Sequence, residues 1–178
     1  MPYMDPPSVA DIWNDPDAEW TVACNWLGPL IDGSATLIRR GMRTDGGTIP
    51  RPVWPVVGHP LQMPFLAYFL CHDADYSGEL RRRAVADARL YKGAALDGHI
   101  NALKLRTVYR AVRIGGGGVW RKHTPQSVER ARRFCRAVGA EEYAALLASR
   151  RLPVMPASCG PLPDTLSAGT SSGKTEKE

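Results

Sequence analysis

The sequence predicts an α+β fold, mainly helical. An N-terminal β-hairpin or small antiparallel sheet packs on an antiparallel helix pair and a third helix, with C-terminal helices and a disordered tail. Three observations predict it. β-favouring residues recur at even spacing near the N-terminus, at Trp20, Val22 and Trp26. From Pro64 onward, apolar residues recur at three- and four-residue spacing through several helix-length windows. Beyond Leu152 the chain is mostly Pro, Ser, Gly and Thr, with little to bury. At 178 residues, 44% of them hydrophobic, the chain is long enough for one core domain with appendages. The division expected is an irregular segment over 1–18, a core over 19–122, a helical extension over 123–151 and a tail over 152–178.

Within the core, Glu19 to Trp26 reads as a strand, and Ala35 to Met42 as its returning partner. Gly28-Pro29 and Asp32-Gly33-Ser34 mark the turns between them. The stretch Thr44 to Pro52 is too dense in Gly and Pro for regular structure. Pro64 suits a first helical turn, and Phe65, Tyr68, Phe69, His72 and Tyr76 then share one helix face. Leu66, Leu70 and Asp73 form the adjacent stripe, so this helix is apolar on most sides and is expected to be buried. After Ser77-Gly78, Arg81 to about Leu96 reads as a second helix, ended by Gly98. Its inward stripe is Ala84, Asp87, Leu90, Tyr91 and Ala94, while Arg81, Arg82 and Arg89 are expected to stay in water. Ile100 to Ile114 is a third helix, stopped by Gly115 to Gly118. Thr124-Pro125 opens a fourth through Val138, and Glu141 to Arg150 is a short last helix.

Charge and cysteine use narrow the function classes. The net charge is +5, but residues 79–136 carry +11 and residues 1–78 carry −5. The middle segment suits anionic lipid or a partner's acidic face. Nucleic acid is not expected, because its arginines are not interleaved with aromatics in any known binding pattern. No stretch approaches the length needed to span a bilayer, and the first residues lack the pattern of a secretory signal. Cys24, Cys71, Cys135 and Cys159 are widely spaced and are read as free thiols.

Three ionisable side chains fall where the pattern says interior: His72, Asp73 and Asp87. Burying a charge without a partner is costly, so such groups pair, bind metal or titrate. Two helices joined by a short turn run antiparallel, which can bring Asp87 opposite His72. A His–Asp pair orients the imidazole and raises its basicity, as a base that takes a proton from water requires. Asp73 points about 100 degrees away from His72. It could hold a hard cation such as Ca²⁺ with carbonyl oxygens of the glycine loop that contains Asp45, Gly46 and Gly47. A satisfied structural network locking the helices together would leave the same pattern. Cys71 beside His72 is not a nucleophile pair, because adjacent residues on a helix point apart.

Four motifs stand in order over about 100 residues: Thr44-Asp45-Gly46-Gly47-Thr48-Ile49-Pro50-Arg51, His72-Asp73-Ala74-Asp75-Tyr76, Arg83-Ala84-Val85-Ala86-Asp87, and Tyr109 through Gly115. In these the run from about Trp20 to Trp120 resembles the phage and bacterial domain-of-unknown-function family 1353. Asp75 departs from the family, which carries an apolar residue there. The resemblance implies a phage or prophage origin, hence a bacterial host cytoplasm or a virion. A looser resemblance is to phospholipase A2 enzymes, which share an H-D-x-x-Y helix after a glycine-rich calcium loop. It implies His72 as the water-activating base, Asp87 as its orienting partner and Tyr76 as a network hydroxyl. Asp73 would be the calcium ligand, with carbonyls of Gly46 and Gly47 completing the coordination. The Y-G-x-G loop motif and the disulfides of those enzymes are missing. Two functions are therefore expected to compete: a small calcium-assisted ester or lipid hydrolase, and a non-enzymatic tail, baseplate or virion component that docks on other phage structural proteins.

Overall fold

The computed structural model describes residues 9–11, 20–44, 65–98 and 100–149. The Asp45–Gly47 loop and the expected tail lie outside the described residues. Strand β1 (Val9–Asp11) pairs antiparallel with β2 (Trp20–Val22). A second pair, β3 (Trp26–Leu27) and β4 (Ser34–Ile38), sets Trp26 opposite Ile38 and Leu27 opposite Leu37. This is the expected hairpin, but the strand read over 19–26 is broken between Val22 and Trp26, where the chain leaves one sheet for the other. The turn is made by Asp32 and Gly33, with φ of 52° and 73°. Two successive left-handed residues match the right-handed twist of paired strands, which is why Asp-Gly stands there. β5 (Arg43–Thr44) closes the first sheet on β2, in the order β1-β2-β5.

The helices follow as α1 (Phe65–Ser77), α2 (Arg83–Asp97), α3 (Ala102–Trp120) and α4 (Pro125–Arg132). Gly98 ends α2 in the left-handed conformation at φ 73°, as expected of a glycine cap. The Asn101 side chain accepts from the Leu103 amide to start α3, and Thr124 and Ser127 form a reciprocal capping box on α4.

Two expectations fail here. The third helix does not stop at Gly115; it runs through all four glycines to Trp120. Glycine weakens a helix but does not forbid one, and here the missing side chains let α3 approach α1. A Cβ on Gly116 would lie 2.6 Å from Tyr76 Oη, and one on Gly117 would lie 3.0 Å from Arg83 Nη1. Nor does the fourth helix reach Val138. It ends at Arg132, and β6 (Cys135–Gly139) pairs antiparallel with β4 from Ser34↔Gly139 to Ile38↔Cys135. A strand partner on the edge of β4 outweighs local helix preference. The final helix, α5 (Ala140–Ser149), follows directly.

The second sheet, ordered β3-β4-β6, is covered on both faces. Ile38 and Cys135 pack with Leu66, Leu70 and Ala74 of α1, while Ala35, Leu37 and Val138 pack with Tyr143 and Leu146 of α5. On its other side α1 places Phe65, Tyr68 and Phe69 against Leu90 and Ala94 of α2 and Leu105, Val108 and Val112 of α3. Helix α1 thus has a core on two sides, which explains why it is apolar nearly all round. No described helix is long and apolar enough to cross a membrane. Cys71 and Cys135 are free and buried, as read from their spacing, whereas Cys24 is disulfide-bonded, against that reading.

Candidate active site

The short connection from α1 to α2 sets Asp87 beside His72, as the periodicity predicts. His72 Nε2 lies 2.9 Å from Asp87 Oδ1, and Tyr76 Oη donates to the same oxygen at 2.5 Å. Tyr76 stands one helical turn after His72, so both reach across the same gap. Their rings pack 4.2 Å apart, and Trp120 meets Tyr76 edge-on at 5.1 Å. Asp87 is fully buried. Its second oxygen accepts from Arg113 Nη1 of α3 at 2.8 Å, and Arg83 Nε lies 3.8 Å from it. Arg83 also donates to Tyr76 Oη at 3.2 Å and to the Arg113 carbonyl.

An ionised carboxylate can only accept, so Nε2 carries the proton in the His72–Asp87 bond and Nδ1 is left as the basic nitrogen. Nδ1 faces Asp73, with Oδ1 3.8 Å away. Burial alone would push the His72 pKa down, but the carboxylates of Asp73 and Asp87 on its two nitrogens lift it to about 8. Burial pulls Asp87 the other way, and the hydrogen bonds from His72, Tyr76 and Arg113 prevail, holding it below the usual carboxylate range. Tyr76 is pushed up to about 12, by burial first and then by its bond to Asp87. The phenol therefore donates across the whole ordinary pH range.

Asp73 is buried as expected and is tied to the root of the glycine loop, because Thr44 Oγ1 donates to its Oδ2. This contact joins the first two sequence motifs through residues that both carry. Asp45, Gly46 and Gly47 lie outside the described residues. Among the described residues no group of three or more His, Cys, Asp or Glu could hold a metal. Among the described residues Asp73 and Thr44 supply one carboxylate and one hydroxyl, against the six to eight oxygens that Ca²⁺ takes.

Asp75 centres a second buried cluster that adjoins the His72 site. It is 1% exposed and accepts from Arg81 and from Thr36 Oγ1 at 3.0 Å, with Arg89 Nε 3.5 Å away. Arg81 Nη2 also donates to the Ala35 carbonyl, and Arg89 donates to the carbonyls of Ile31 and Ser34. Burial pushes the Asp75 pKa up against the pull of both guanidiniums. The expectation that Arg81 and Arg89 sit in water is thereby overturned. They bind the β3–β4 hairpin to α1 and α2, with Asp75 as their counter-ion.

No protein-family model, curated protein or solved structure matches this chain.

The site is enclosed. His72 is 7% exposed, and the cavity it lines with Ile31, Tyr68, Asp75 and Arg89 holds about 10 Å³, room for a single water. Sequence reasoning missed Thr44, Arg83 and Arg113. Arg83 carried a signal, four residues before Asp87 on one helix face. Arg113 carried none beyond membership of its motif, because nothing local shows that α3 crosses over Asp87.

Proposed function

We propose that this chain is a small hydrolase of phage or prophage origin, in which His72 takes a proton from water that attacks an ester or related bond. One observation carries the reading. Asp87 accepts from Nε2 and so directs the lone pair of the neutral imidazole to Nδ1, on the side of Asp73. Nδ1 and Asp73 Oδ1, 3.8 Å apart, are the two acceptors between which the nucleophilic water would be held. In the attack, that water's proton passes to Nδ1 as its oxygen bonds to the carbonyl carbon. The imidazolium formed is stabilised by Asp87, then returns the proton to the leaving oxygen. Tyr76, Arg83 and Arg113 keep Asp87 ionised and fixed and touch no reacting atom. The resemblance of four ordered motifs to the phage family supports the origin.

The test is hydrolysis of a chromogenic ester and of phospholipid, each with Ca²⁺ and with chelator. Activity is expected to rise with pH through about 8, as His72 loses its proton. His72→Gln is expected to lower the rate by about 10²–10⁴-fold with a change of only a few degrees in melting temperature. Unchanged turnover in that variant, or none in the parent chain under either condition, overturns the reading.

A second reading is favoured by the enclosure of His72: a scaffold component of the virion, with the same network as an internal lock. It predicts stoichiometric recovery of the protein in purified particles and no loss of infectivity with His72→Gln.

A further inference from the structure

Between α2 and α3 lies an open groove of about 410 Å³ lined by Ala88, Tyr91, Lys92, Arg106, Tyr109 and Arg110. Its floor is built by the two tyrosines, whose rings meet edge-on at 5.2 Å. Its rim is cationic. Helix α3 carries Lys104, Arg106, Arg110 and Arg113 and no acidic residue. Lys92 pairs with Asp32 and Arg113 with Asp87, whereas among the described residues Arg106 and Arg110 make no ion pair. Beside the groove, the outermost line of α3 is aliphatic. Leu103 is 70% exposed and Ile114 84%. At 100° per residue, Leu103, Arg110 and Ile114 fall within an arc of about 40°, with Arg106 about 60° from Leu103 to the groove side. Nothing in the packing of α3 needs these side chains, since its buried face is Leu105, Val108 and Val112.

We infer that this face of α3, with the groove beside it, docks on an anionic phospholipid membrane. Leu103 and Ile114 enter the acyl boundary, and Arg106 and Arg110 hold lipid phosphates at the groove mouth. Charge complementarity selects an anionic surface. The two protruding aliphatic side chains select hydrocarbon, because a nucleic acid offers them nothing to bury against. The inference goes beyond the hydrolase reading and does not need it, since docking requires no turnover.

The experiment is co-sedimentation of the full chain with phosphatidylcholine vesicles, with and without roughly one third phosphatidylglycerol. Binding is expected only with the anionic lipid and is expected to weaken as salt is raised. Each arginine near such a surface contributes about fivefold in affinity, so Arg106→Ala with Arg110→Ala should weaken binding about thirtyfold. Leu103→Ser with Ile114→Ser should weaken the binding that persists at high salt, where charge is screened. All four positions are exposed, so a melting temperature close to that of the parent chain confirms that each variant is folded. Equal binding to both vesicles, no binding to either, or loss of neither component in the variants overturns the proposal. Retention on single-stranded nucleic acid that depends on Arg106 and Arg110, with no vesicle binding, replaces it with a different ligand. Failure of ester hydrolysis leaves it standing.

Discussion

Alanine at Gly116 and at Gly118 should move stability in opposite directions, although the two positions are separated by one residue in the same helix. Either change gains about 1 kcal/mol of helix propensity. At Gly118 an added Cβ meets nothing within 4 Å, so Gly118→Ala should keep that gain. At Gly116 the Cβ would lie 2.6 Å from Tyr76 Oη, 3.1 Å from Cε1 and 3.2 Å from Cζ. The ring has no retreat, with its hydroxyl on Asp87, His72 on one side and Trp120 on the other. Overpacking of this kind costs about 1–3 kcal/mol, and weakening the charge-assisted bond to Asp87 adds about 1.5–3 kcal/mol. The net loss for Gly116→Ala is about 2 kcal/mol or more, a fall in melting temperature of roughly 4–8 °C for a chain of this size. Urea unfolding at constant m-value measures both variants. If Gly116→Ala is as stable as the parent chain, α3 does not press on Tyr76 and the account of the glycine run fails.

The pH dependence of stability should carry a His72 component. Its folded pKa, about 8, lies above the ordinary 6.5, so its contribution is fully present below 6.5 and is lost as pH rises through 8. The loss is about 2 kcal/mol. Unfolding free energies from urea titration at pH 6 and pH 9 should converge by that amount in His72→Gln, and an unchanged difference would contradict the assignment. Asp75→Asn should destabilise by about 3 kcal/mol, near the lower end for breaking a buried ion pair, because backbone carbonyls still hold Arg81 and Arg89. A neutral result in the same unfolding assay would mean that Asp75 is dispensable as their counter-ion.

The heart of the site was legible because its geometry is local. His72 and Tyr76 lie one turn apart, and a short turn returns the chain as α2, so helical periodicity alone places Asp87 opposite them. Contacts that depend on a third element were not legible. Arg81 and Arg89 read as solvent-facing because a long cationic side chain carries no mark of the distant carbonyls it will meet. The four glycines read as a stop because composition shows the cost of glycine in a helix but not the neighbour that requires it. Cys135 to Val138 read as helix because the open edge of β4 lies about 100 residues earlier, beyond the reach of any local window.

The pairing of β4 with β6 also orders events during synthesis. The hairpin, α1 and α2 can leave the ribosome and collapse on one another, but the edge of β4 stays open until residues 135–139 emerge. Over that interval a buried strand lies available to a neighbouring nascent chain. A chain ending after α4 would keep His72, Asp87 and Tyr76, yet would carry this sticky edge permanently and would be prone to self-association.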